Sequence, residues 1–200
     1  MQTRQDIIIA GVGGQGILTI SGVIASAAVE RGLHVKQSEV HGMAQRGGAV
    51  VSHLRLSDAP VASDLIPFGE AHLILSMEPM EALRYVAFAR KDAALVTNLN
   101  AVRNAPGYPD VERVLQRVQE WPRHVVVDAE ALARKAGHVR MTNSVMMGAA
   151  SSFLIIPADR LRAQLEAIFS RKGKDVVEKN LAAFDFGCKA AGGGTPNAER

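Results

Sequence analysis

Residues 6 to 16 read Asp6-Ile-Ile-Ile-Ala-Gly-Val-Gly-Gly-Gln-Gly16, and this stretch sets the fold class. An unbroken apolar run that stops at glycine is the pattern of a parallel strand, buried on both faces, feeding a tight turn. Beyond it, Ile17, Ile20, Ser21, Ile24, Ala27 and Ala28 recur at helical spacing, and Arg31-Gly32 supplies a basic last turn and a glycine stop. Leu33 to Ser38 reads as a second strand, so residues 5 to 38 form one βαβ unit. Gly11, Gly13 and Gly16 satisfy the G-x-G-x-x-G spacing between strand and helix. The first glycine permits the turn, the second lets a ligand approach the backbone, and the third packs helix on strand. With Gly14 and Gln15 they would present N–H and amide groups at a helix N-terminus, where an anion is favoured. Any tight βα turn needs glycine, so the motif by itself leaves the ligand open.

Further strands are predicted at Ala49 to Leu56, closed by Ser57-Asp-Ala-Pro60, at His72 to Ser76, at Ala94 to Asn98 and at Arg123 to Val127. Glu78-Pro79 opens a helix predicted to run to about Lys91, Val111 to Gln119 makes a short one, and Asp128 caps another that stops near Gly137. From about residue 141 only helices follow: Asn143 to Ile156, apolar with small residues, then amphipathic Asp159 to Ser170 and Asp175 to Lys189. Residues 190 to 200 are rich in glycine and polar residues and read as a disordered tail. The expected architecture is α/β: a Rossmann-like, doubly wound, mostly parallel sheet with a C-terminal helical cap, one domain over residues 1 to 189.

Two hundred residues suffice for one domain with a full core. Aromatic residues make up 4% of the chain, so that core must come from Ala, Val, Ile, Leu and Met. The net charge of +3 is spread over interleaved basic and acidic residues, which argues against nucleic acid as a partner. Cys188 is the one cysteine; it excludes an internal disulfide, a cysteine-ligated zinc site and an iron–sulfur cluster, and it fits a reducing compartment. No apolar stretch approaches the roughly 18 residues of a membrane span and no secretory leader is visible, so a soluble cytoplasmic protein is expected. No His-x-x-x-His pair and no Ser-His-Asp or Cys-His arrangement can be assigned, so neither a metal nor a catalytic residue is expected here. His53 and His72, in predicted strands, read as structural, and Cys188 as a packing residue.

A second loop follows one βα unit later, His41-Gly-Met-Ala-Gln-Arg-Gly-Gly48, with Glu39 just before it. Gly47 and Gly48 permit backbone conformations closed to other residues. Arg46 offers a planar fork for carboxylate or phosphate, Gln45 a donor and an acceptor, and His41 a group that titrates near neutrality. Three readings stay open from these residues alone: an anion site, a contact with another subunit, and a structural loop in which Arg46 pairs with Glu39. Glu39 also lies where a dinucleotide fold places the acid that holds a ribose, although the loop after it would crowd an adenosine. A stand-alone nicotinamide-dependent oxidoreductase and a purely structural assembly module are therefore alternatives.

The residues Gly11-Val-Gly-Gly-Gln-Gly16 and Glu39-Val-His-Gly-Met-Ala-Gln-Arg-Gly-Gly48, with Ser52-His53 after them, resemble the gamma subunit or domain of 2-oxoacid:ferredoxin oxidoreductases, the pyruvate/ketoisovalerate oxidoreductase family. Asn143-Ser-Val-Met-Met-Gly-Ala149 and Asn180-Leu-Ala-Ala-Phe-Asp-Phe-Gly187 extend the likeness, which spans residues 5 to 188 and in length is most similar to the indolepyruvate-type subunits. The resemblance implies a complex that decarboxylates a 2-oxoacid with thiamine diphosphate, passes electrons through iron–sulfur clusters to ferredoxin and forms an acyl-CoA. No thiamine diphosphate signature is present. Thiamine diphosphate, Mg and the clusters are therefore expected on a larger partner subunit in a hetero-oligomer, with coenzyme A as a possible substrate and this chain inactive alone. The ligand- or partner-binding residues it implies are Gly11, Gly13, Gly14, Gln15, Gly16, Glu39, His41, Gln45, Arg46, Gly47, Gly48 and Asn143.

Overall fold

The computed structural model describes residues 3–41, 47–103 and 107–192. The chain runs β1 (Arg4–Val12), α1 (Ile17–Glu30), β2 (His34–His41), β3 (Ala49–Ser57), β4 (Ala71–Ser76), α2 (Pro79–Arg84), β5 (Ala89–Asn98), α3 (Val111–Gln119), β6 (His124–Val127), α4 (Ala129–Lys135), α5 (Thr142–Ala150), α6 (Ala158–Phe169) and α7 (Lys174–Gly192). The six strands form one sheet in the order β2-β3-β1-β4-β5-β6. β1, β4, β5 and β6 are parallel neighbours, while β3 lies antiparallel to both β1 and β2. The expected mostly parallel sheet is present, with one departure. β1 and β2 point the same way but do not touch, because β3 is inserted between them.

The sheet has two unlike faces. Ile7 and Ile9 of β1, Leu73 and Leu75 of β4 and Ala94 and Val96 of β5 turn to the face covered by α1, α4, α5, α6 and α7. Ile8, Ala10, Ile74 and Leu95 turn to the other, covered by α2, α3 and the 58–70 segment. Ile7, Ile8 and Ile9 are all fully buried, as a two-sided strand demands, and each side chain contributes roughly 1.5–3 kcal/mol. The second face carries buried charge. Arg55 stands opposite Asp6 across the β1–β3 ladder, with Nε 2.8 Å from Oδ1, and its guanidinium also donates to the carbonyls of Ser63 and Leu65. His53 Nδ1 accepts the Ile66 N–H at 3.1 Å, so β3 side chains pin the 58–70 segment where a helix would otherwise sit.

The C-terminal cap is a layer over the first face. α5 and α7 cross at glycines: a Cβ on Gly148 would stand 2.1 Å from the Phe184 carbonyl oxygen, and one on Gly187 2.0 Å from that of Val145. The two late stretches that carried the family resemblance are thus each other's packing partners. Their approach is backbone to backbone, which offsets the roughly 1 kcal/mol that each mid-helix glycine costs. Ser144 Oγ donates to Asn180 Oδ1 at 2.6 Å across the same contact.

The helix expected from Pro79 to about Lys91 ends at Arg84. A single 3-10 turn, Val86–Phe88, follows, and β5 begins at Ala89. Tertiary pairing overrides the local pattern here: Ala89 aligns with Ala71 of β4, and Tyr85 and Phe88 pack with Phe68 and His53 as an aromatic cluster. α7 runs to Gly192, so residues 190–192, read as the start of the tail, close a helix; residues 193–200 lie outside the described part. No helix among the described residues is long and apolar enough to cross a membrane.

Candidate functional site

The strand winding reverses between β1 and β4. The chain leaves β1 through α1 toward β2, and leaves β4 through α2 toward β5. In open α/β sheets the crevice at such a reversal, outside the carboxyl ends of the strands, is where ligands bind. The 13–16 turn, the 47–48 turn, Met77, Glu78 and Asn98 all converge there.

The two glycine loops meet directly. Gly13 N–H donates to the Gly48 carbonyl at 2.8 Å, and Gly47 N–H donates to the Gly13 carbonyl at 3.4 Å. Because β3 starts beside the end of β1, with Val12 opposite Ala49, the antiparallel ladder delivers the second loop onto the first. Gly14 (φ 103°), Gly16 (φ 80°) and Gly47 (φ 81°) hold left-handed backbone that a side chain disfavours. Gly14 is exposed, with nothing within 4 Å of where a Cβ would stand. Gly16 is the N-cap of α1 and makes no side-chain cap, so that helix presents its first amides to the crevice. Asn143, at the start of α5, seals the other side of Gly16: its Nδ2 lies 2.7 Å from the Cβ that glycine lacks, and its Oδ1 accepts the Ser144 N–H.

Gln15 does not face outward. Its Oε1 accepts the Val12 N–H at 2.7 Å and its Nε2 donates to the Met77 carbonyl at 3.2 Å. Asn98 donates to the same carbonyl at 3.3 Å and accepts the Ala129 N–H at 3.1 Å. One carbonyl therefore ties β1, β4, β5 and α4 together beneath the ridge. Gly11 belongs to this underside, since a Cβ there would meet Gln15 Oε1 at 2.7 Å. Sequence reading missed Asn98. The available signal was a polar residue at the carboxyl end of an apolar strand.

Glu39 is displaced from the role a dinucleotide would need. It pairs with Ser52 on the far side of β3, two strand spacings, or roughly 10 Å, from β1. It is exposed and accepts from Gln37 Nε2 on its own strand. The residues do not fit a ribose-holding acid beside the glycine turn. His41 ends β2 and lines, with Gly13, Gly14, Gly16, Leu18 and Val50, a depression of about 460 Å³. Leu18 (51% exposed) and Val40 (56%) leave apolar surface at the same edge. Gln45 and Arg46 lie outside the described residues.

A larger cleft of about 640 Å³ opens on the α1 side, where Gly14, Gln15 and Gly16 face Arg140, Asn143 and Lys172. A third cavity, about 300 Å³, lies on the α2 side between Gly47 and Ala49 and the residues Glu78, Glu81, Arg84 and Tyr108. Glu78 caps α2: its Oε1 accepts the Glu81 N–H at 2.6 Å and its Oε2 the Tyr108 hydroxyl at 2.6 Å. Burial and the Glu78 carboxylate push the Tyr108 phenol well above its ordinary range. Burial raises the Glu81 carboxyl, against the pull of Arg84. Elsewhere, burial lowers His53 and His72, as befits neutral structural imidazoles, and raises the half-buried Cys188 thiol, which sits against Ser151 Oγ. No group of three His, Cys, Asp or Glu among the described residues can hold a metal ion.

Residues 6–190 match the family model of pyruvate ferredoxin/flavodoxin oxidoreductase. The chain is 38% identical to indolepyruvate oxidoreductase subunit IorB of Archaeoglobus fulgidus over 98% of its own length and 99% of that protein's. It is similar, at TM-score 0.78 and 23% identity over 96% of its length, to the 2-oxoglutarate:ferredoxin oxidoreductase from Magnetococcus marinus with 2-oxoglutarate, coenzyme A and succinyl-CoA bound, and it spans 32% of the length of that chain. The keto/oxoacid ferredoxin oxidoreductase gamma subunit from Geobacter sulfurreducens gives TM-score 0.72 at 22% identity, over 96% of this chain and 98% of that one. At these identities the two structures bear on the fold alone.

Proposed function

The chain belongs to the pyruvate ferredoxin/flavodoxin oxidoreductase family, and from that premise we propose that it is the non-cofactor-bearing subunit of an indolepyruvate-type 2-oxoacid:ferredoxin oxidoreductase. The complex oxidatively decarboxylates a 2-oxoacid to an acyl-CoA and hands the electrons to ferredoxin in the cytoplasm. Thiamine diphosphate, its Mg ion and the iron–sulfur clusters reside on the larger partner subunit; a chain with one cysteine supplies no cluster ligand set. Coenzyme A is a substrate of the complex, and the Magnetococcus relative has it bound.

The observation that carries the role of this chain is the junction of the two glycine loops. Gly13, Gly47 and Gly48 build one backbone ridge along the carboxyl edge, with Leu18 and Val40 exposed beside it. Gly13, Gly47 and Gly48 themselves carry no side chain, which allows close approach by another surface, and exposed apolar residues beside them favour association. In this reading the ridge closes over the partner's cofactor site, and Gly14, Gly16, His41, Gln45 and Arg46 make the contacts. Gln15, Gly11 and Asn143 hold the ridge in shape, and Glu39 stays peripheral.

Purified larger subunit, alone and reconstituted with this chain, tests the reading through 2-oxoacid-dependent ferredoxin reduction. Turnover is expected only with both chains, and full turnover by the larger subunit alone would sink it. Replacing Arg46 by Ala, with assembly and turnover measured separately, is expected to lower at least one of them.

A further inference from the structure

The two edges of the sheet are unlike. β6 ends it on one side with four residues, His124–Val127, just after Pro122. β2 ends it on the other with eight, His34–His41, and pairs with β3 at every one of them without a bulge. The outer side of β2, from His34 to Val40, pairs with no described residue. An edge of that length, free of proline and bulge, is a template for another strand, and sheets that leave an edge unused blunt it by such devices. The side chains of β2 say which strand fits. Gln37 Nε2 donates to Ser21 Oγ of α1 at 3.0 Å and to Glu39 Oε1. The odd-numbered residues therefore stand on the α1 face, and Lys36, Ser38 and Val40 on the other.

We propose that β2 pairs antiparallel with β2 of a second copy of this chain about a two-fold axis, joining the two six-stranded sheets into one. In such a pair opposite residues share a face, so the pairing is centred on a residue and not between two. Centred on Lys36 or on Glu39, it would set like charges opposite each other. Centred on Gln37, it would set Glu39 against Val35, a partly buried apolar residue. Centres nearer either end engage only a few residues. Centred on Ser38, it sets Glu39 against Gln37 of the second copy, twice by symmetry, Lys36 against Val40 and Ser38 against its own image. Each Glu39 carboxylate then gains an amide donor across the junction, and no like charges stand opposite. The glycine ridge lies at the β1–β3 junction, one strand in from this edge, so it stays open to the larger subunit.

Sedimentation equilibrium of the full chain gives the first readout, with a monomer–dimer equilibrium expected at micromolar concentration. Gln37→Lys sets a cation against Glu39 and is expected to tighten the dimer about fivefold, whereas Gln37→Glu sets carboxylates opposite each other and is expected to loosen it by about as much. Ser38→Cys, in a Cys188→Ala background, reads the register. Opposite Cα atoms in an antiparallel pair stand about 4.5–5.5 Å apart, within reach of a disulfide, while Val40→Cys lies several residues from its own image. Mild oxidation is expected to cross-link the first variant and not the second, both in the free chain and in the complex reconstituted with the larger subunit. A cross-link confined to the complex still supports the pairing. A chain monomeric at every concentration reached, with no Ser38→Cys cross-link in the complex either, overturns it. Protection of the β2 amides from hydrogen exchange in the complex, without that cross-link, makes the larger subunit the occupant and overturns it too. A dimer indifferent to both Gln37 substitutions and without the cross-link forms on another surface, and the pairing falls.

Discussion

The carboxyl-edge ridge and the α5–α7 crossing both depend on glycine, and they use it in opposite ways. At the ridge, Gly14, Gly16 and Gly47 take positive φ, and the space above Gly14 is open. At the crossing, Gly148 and Gly187 sit in ordinary helix, and the space a side chain would need is filled by the carbonyls of Phe184 and Val145. The first is glycine for its backbone freedom, the second for its missing side chain. A ridge left open can admit a visitor. A crossing closed by backbone admits none, and its contribution is to the core.

Breaking the crossing should produce the largest effect. Gly148→Ala and Gly187→Ala each force α5 and α7 apart, and we expect a loss of about 3 kcal/mol or more in urea unfolding, well beyond the ~1 kcal/mol that alanine returns in helix propensity. An unchanged midpoint for either would erase the contrast. Next comes the underside of the ridge. Gln15→Ala leaves the buried Val12 N–H without an acceptor and should lower stability by about 1–3 kcal/mol, with weaker partner association as the loops part. Gly14→Ala sharpens the comparison, because its Cβ meets nothing. Only the positive φ penalises it, by about 1–2 kcal/mol, and it should fold while its affinity for the larger subunit falls roughly tenfold.

The smallest effect lies at neither glycine site and serves as a control on the other sheet face. Burial holds His53 and His72 below the ordinary imidazole value of 6.5. As pH falls through 6.5 the unfolded chain takes up protons that the folded chain does not, so stability is full above that pH and declines below it. His53→Gln should flatten part of the decline in thermal melts between pH 7 and 5 while leaving partner binding at pH 7.5 unchanged.

Much of this was legible from local pattern. Ile7, Ile8 and Ile9 announced a two-sided strand, and Asp128 does cap α4; the matching cap of α3 by Asp110 was not read. What escaped was pairing. Ala49 to Leu56 reads as a strand in any neighbourhood, and nothing in its residues says that it separates β2 from β1. That choice moved Glu39 away from the glycine turn and brought Gly48 onto Gly13. Gln15 looked like a ligand contact because polar residues in a glycine turn usually point out, whereas the Met77 carbonyl, 62 positions away in the chain, draws it in.

The amino-acid sequence by itself determined the elements, their α/β alternation, the two glycine loops and the family they signal, because periodicity, capping and turn chemistry are local. Only the tertiary structure decided that β3 intervenes, that the two loops are one ridge, and that two distant glycines are a helix crossing. Those outcomes depend on which surfaces meet, and contact between residues tens of positions apart is set by the packing of the whole chain rather than by any stretch of it.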